Sequence, residues 1–170
     1  MLDGLEPLQI VSIRMILAAL FIAPFFIRKM KKHSFYEHGF SFLLIGLLNT
    51  ALPFTMFAYA SVSLGAGSLS ILQATVPILT ALILFTLYKG EFSYFKLSGV
   101  MIGFAGLFLL VGPSGNLDLF ASILCVVASL SYAIAGVYLA KTPAKISNSF
   151  IGMGSIIVGA FLMAPFLLNY

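Results

Sequence analysis

An unbroken apolar stretch, Ser68 to Tyr88, is the feature that most restricts what this chain can become. It runs for 21 residues without a charged side chain. At about 1.5 Å per residue, a helix of that length reaches about 30 Å, the thickness of a bilayer's hydrocarbon core. A polar hinge, Lys89-Gly90-Glu91, follows, and a second apolar segment extends from about Tyr94 to Val111. The two segments read as a membrane hairpin. The rest of the chain repeats that plan: 61% of its residues are hydrophobic and 8% charged, with a mean hydropathy of +1.13. An ordinary globular protein has about a quarter charged residues. The expected class is therefore an all-α integral membrane protein with the lipid bilayer as its solvent.

Six spans are expected. They run from about Pro7 to Ile27, Phe40 to Leu64, Ser68 to Tyr88, Tyr94 to Val111, Leu119 to Ala140 and Asn148 to Leu168. Pro7 suits the first turn of a helix. Gly65-Ala66-Gly67 is expected to turn the chain between the second and third spans, and Pro113-Ser114-Gly115-Asn116 between the fourth and fifth. A basic loop from Arg28 to His33 separates the first two. Acidic Asp3 and Glu6, with no basic flank, argue against a signal peptide.

The cations sort by side. The loops after the first, third and fifth spans hold Arg28, Lys29, Lys31, Lys32, Lys89, Lys96, Lys141 and Lys145, and the remaining basic residue is Arg14. The opposite side holds Asp3, Glu6 and Asp118. Short loops rich in Lys and Arg stay cytoplasmic, so both ends of the chain are expected outside a cell membrane. That distribution also explains the pI of about 9.3 without nucleic acid.

The first and sixth spans share a pattern. Ala18 to Phe26 (AALFIAPFF) lies over Gly159 to Leu167 (GAFLMAPFL) at an offset of 141 residues, with Ala19, Ala23, Pro24 and Phe25 matched by Ala160, Ala164, Pro165 and Phe166. Ile10 and Ile16 match Ile151 and Ile157. The first span is expected to run inward and the sixth outward. Copies of opposite direction mark carriers built from inverted halves. The expected organisation is residues 1–112 as most of a first repeat and 113–170 as the start of a second. A repeat of five spans would make the chain a piece of a ten-span protein without its first helix and last three.

Several motifs in order carry a family resemblance. These are Pro7 with Arg14 and the Ala-rich run behind them, Asn49 to Ser63 (NTALPFTMFAYASVS), Ala74 to Pro77 (ATVP), and Gly90-Glu91 followed by Gly99, Gly103 and Gly106. Together the pattern resembles the EamA family of the drug/metabolite transporter superfamily. The resemblance implies a 5+5 inverted-repeat fold and a carrier of small metabolites, often an exporter of amino acids or related compounds. Length is the departure, since the chain matches helices two to seven.

Polar groups inside the spans are the candidates for contact with a solute. Arg14 lies about 10 Å along its helix from Pro7, where a charge costs about 2.5 kcal/mol or more without a cavity or partner. It reads either as an anchor for an anionic group or as an arginine that snorkels to the outer interface. Asn49 and Gln73 read as interhelical hydrogen-bond glue or as solute contacts. Pro53 and Pro77 each remove a backbone donor and are expected to kink their helices. Tyr59 reads as packing or as a stacking surface. Gly99, Gly103 and Gly106 form a small-residue seam suited to close helix approach. The partners expected for the chain as a whole are the bilayer, a small solute, and the missing helices or a second copy of the chain. Glu91 is expected at the cytoplasmic surface beside Lys89 or Lys96.

Enzymatic chemistry finds little support. His33 and His38 have no paired carboxylate, Cys125 lies alone in an apolar run, and no H-E-x-x-H pattern occurs. No metal or cofactor is expected. Two readings stay open: an alternating-access carrier with a midplane cavity lined by the first, second, third and sixth spans, or a membrane scaffold or remnant that does not transport.

Overall fold

A computed structural model describes residues 6–30, 32–87, 94–111, 118–141 and 148–167. The side chains of 32–38, 96, 107, 110, 111 and 148 are outside that description. Among the described residues the chain forms eight α-helices: α1 Pro7–Lys29, α2 Lys32–Gly46, α3 Leu52–Ser63, α4 Ala66–Gln73, α5 Val76–Leu87, α6 Tyr94–Val111, α7 Leu119–Lys141 and α8 Asn148–Met163. A π-helical turn, Leu47–Ala51, joins α2 to α3, and a 3₁₀ turn, Ala164–Leu167, ends α8. No strand occurs among them. Among the described residues five stretches are long and apolar enough to cross a membrane: Pro7–Lys29, Gly39–Ser63, Ala66–Leu87, Leu119–Lys141 and Ser149–Leu167. In helix α6, the fourth expected span, the apolar helical stretch is shorter, Leu97–Gly106. The all-α membrane class holds.

Three boundaries differ from expectation. The basic loop is shorter, because α1 continues to Lys29 and α2 already begins at Lys32, which places His33 and His38 on a helix. The turn at Gly65-Ala66-Gly67 contracts to Leu64 and Gly65, with Ala66 opening α4. Gly65 has φ −66° and ψ 156°, ordinary extended backbone, so no glycine-only conformation is needed. The third span is two helices, with Ala74 and Thr75 between them. The hinge Lys89-Gly90-Glu91, the turn 113–116 and the loop 142–147 lie outside the described residues.

The chain divides into two compact units, Met1–Thr55 with Lys141–Tyr170, and Met56–Ala140. In the first, α8 packs along both α1 and α2. Ser12 on α1 meets Met163 at the end of α8, and Phe26 near the end of α1 stacks on Phe150 near the start of α8. The two helices therefore run antiparallel. Against α2 and its continuation α8 runs parallel: Phe42 lies against Gly154, Gly46 against Val158, Thr50 against Gly159 and Thr55 against Met163. Lipid offers no hydrophobic drive between helices, so close approach and dispersion hold such a cluster together. Small residues permit the approach. A Cβ on Gly154 would lie 2.6 Å from Phe42 Cδ1, and one on Gly159 would lie 2.6 Å from Thr50 Cγ2. Phe26, Phe42 and Phe150 close one end of this cluster, stacked or edge-to-face at 4.8–5.8 Å between ring centres.

In the second unit, α7 buries Ala121, Cys125, Ala128 and Ser129. Ala121 and Cys125 form a core with Ala60 and Leu64, against which Phe57, Leu69, Leu72 and Leu124 pack. Phe57 stacks on Tyr132 at 6.2 Å. Helices α4 and α5 pack on α6.

Candidate functional site

Two helix interruptions position the polar candidates, and both trace to proline. In a regular helix Pro53 cannot supply the N–H that the Asn49 carbonyl expects, and Pro77 does the same to Gln73. Each amide-bearing candidate thus sits one turn ahead of a proline. Ahead of Pro53 the backbone widens into the π-helical turn, with the Leu52 N–H donating to the Leu47 carbonyl five residues back. Ahead of Pro77 the helix stops. The Thr75 N–H donates to Leu72 O at 3.2 Å and the Thr75 hydroxyl donates to the same oxygen at 2.6 Å. Ser129 of α7 donates to it as well, at 3.1 Å. The Leu72 carbonyl at the break is therefore satisfied from inside its own unit, as a backbone group at membrane depth must be.

Arg14, Asn49 and Pro53 fall in the first unit; Tyr59, Gln73 and Pro77 fall in the second. Arg14 is exposed, with its Cζ 5.8 Å from the centre of the Phe54 ring on α3. A cation over an aromatic face at that distance gains about 0.5–1 kcal/mol at an exposed site. Asn49 is half-buried and Pro53 fully buried. Tyr59 is 49% exposed, and Gln73 and Pro77 are exposed. Gly99, Gly103 and Gly106 are exposed too, and a Cβ on any of them would meet no described atom within 4 Å. No described helix packs on that seam. Glu91 and Lys89 lie outside the described residues, as does the Lys96 side chain.

Sequence reasoning passed over the polar contacts that tie the first unit together. Ser12, 0% exposed, has its hydroxyl within reach of two carbonyls, Leu8 O at 2.7 Å and Met163 O at 3.0 Å. Thr55 donates to Ala51 O at 2.7 Å and approaches the Met163 sulfur at 3.5 Å. Met163 ends α8, where the last carbonyls of a helix lack intrahelical donors, and the Ser12 hydroxyl lies within hydrogen-bond reach of its oxygen. The signals that could have found the close contacts are two small-residue pairs four apart, Gly46 with Thr50 and Ser155 with Gly159. Among the described residues, no buried side-chain polar atom lacks a partner and no three His, Cys, Asp or Glu gather as a metal site.

Residues 1–112 match the EamA-like transporter family. The chain belongs to that family. As an EamA-like protein it is a multi-pass membrane protein of a transporter family of the drug/metabolite type, whose members are transporters rather than enzymes. No curated protein and no solved structure matches it.

Proposed function

We propose that this EamA-like chain serves the secondary transport of a small organic metabolite, such as an amino acid or a related compound, outward across the cell membrane by alternating access. Membership of the family carries the transport reading. The geometry adds support for inverted copies. Helices α1 and α8, whose Ala-Ala-Pro-Phe positions align, run in opposite directions, as the two copies of one helix must in such a carrier. The family match ends at residue 112, which supports a division of the chain into 1–112 and 113–170. The basic loops are taken as cytoplasmic. Arg14, Asn49, Pro53, Tyr59, Gln73 and Pro77 are the proposed solute contacts.

Flux of radiolabelled amino acids through liposomes containing the full chain tests this reading. Arg14→Ala and Gln73→Ala are each expected to lower the initial rate about tenfold, the equivalent of one lost contact of about 1.4 kcal/mol. Absence of flux from the unsubstituted chain sinks the carrier reading. Unchanged flux in both variants sinks the site assignment alone.

A further inference from the structure

We propose that Arg14 and Phe54 form an oxyanion site that takes the carboxylate of the transported solute, an inference that rests on the transport reading above. A cation within a span is normally held by a partner. Glu6 and Asp118 are the acids whose side chains are described. Glu6 lies two turns back on the same helix, and Asp118 accepts the Ala121 N–H at 3.0 Å. Among the described residues no carboxylate pairs with Arg14, whose one contact is the Phe54 ring at 5.8 Å. The neighbouring hydroxyls of Ser12 and Thr55 are engaged elsewhere, Ser12 with Leu8 O and Met163 O and Thr55 with Ala51 O and the Met163 sulfur.

Among the described residues the Arg14 N–H groups make no hydrogen bond or ion pair, so the fork along the guanidinium edge is unused. That fork matches a carboxylate, which it can hold through two parallel hydrogen bonds. Register decides against a side chain that climbs to the interface. Phe26 meets Phe42, and Arg14, twelve residues earlier on α1, meets Phe54, twelve residues later on the partner helix. The guanidinium therefore crosses sideways at its own level. A snorkelling arginine would meet residues further along α3.

A lipid phosphate offers the same oxyanion chemistry, so the experiment separates the two sources. The full chain in phosphate-free maltoside micelles is treated with phenylglyoxal, and modification of its two arginines, Arg14 and Arg28, is followed by peptide mass spectrometry. Sodium acetate is expected to slow modification of Arg14 several-fold, with Arg28 unaffected. Sodium chloride at equal ionic strength, acetamide and added phosphatidylglycerol are expected to leave both rates unchanged. Phe54→Leu, with helix content checked by circular dichroism, is expected to abolish the acetate effect. Equal protection of Arg28, no protection by acetate, full protection in Phe54→Leu, or protection by phosphatidylglycerol alone each overturns the proposal. Protection of Arg14 in a chain without flux keeps the site and removes the carrier reading; flux without protection does the reverse.

Discussion

Gly154 and Gly99 are both helical glycines, yet their surroundings differ completely. A Cβ on Gly154 would press into the Phe42 ring, which is 1% exposed and held between Phe26 and Phe150, so it cannot swing aside. Gly154→Ala is expected to destabilise the chain by about 1–3 kcal/mol, the usual range for overpacking. Gly99 has open space around it, and Gly99→Ala is expected to be neutral or to gain up to about 1 kcal/mol from helix propensity. Unfolding in mixed micelles of increasing denaturing detergent measures both, and equal effects would contradict the packing described for α2 and α8. Small-residue spacing announces where helices are able to approach. It does not name the partner, which is why Gly99, Gly103 and Gly106 were legible as a seam while the close contacts formed at Gly46, Gly154 and Gly159.

At the scale of the element, proline has three outcomes in one chain. Pro24 sits inside α1, which continues to Lys29; Pro53 follows a widened turn; Pro77 follows a break. The missing donor is common to all three, so the difference lies in what else satisfies the local carbonyls. At Pro77 the hydroxyls of Thr75 and Ser129 converge on Leu72 O and hold the interruption open. Pro77→Ala restores the N–H that Gln73 lacks and is expected to join α4 to α5, with slower hydrogen exchange at the amides of residues 76 and 78. An unchanged exchange pattern would mean that the hydroxyls, rather than the ring, maintain the break. Both kinks were legible in advance because the missing donor belongs to a single residue. Their form was not, since Ser129 lies on another helix, 57 positions away.

For the whole molecule, the antiparallel course of α1 and α8 is the relation that the carrier reading most needs. With Cys125→Ser removing the native thiol, a short bifunctional thiol reagent is expected to join Ser12→Cys to Met163→Cys and to leave Ser12→Cys unlinked to Phe150→Cys. The opposite result would reverse the helix direction and remove the support for inverted copies. The amino-acid sequence by itself determined the membrane class, the approximate spans, the family motifs and the residues whose backbone donors are missing. These depend on hydrocarbon thickness and on local covalent chemistry, both readable along one strand of residues. Only the tertiary structure decided that Arg14 rests on Phe54, that Ser12 reaches Met163, and that the tight seam runs between α2 and α8. Between apolar helices in lipid, contacts are chosen by the fit of shape and by a few hydrogen bonds, and fit is a property of pairs of surfaces that one helix alone does not contain.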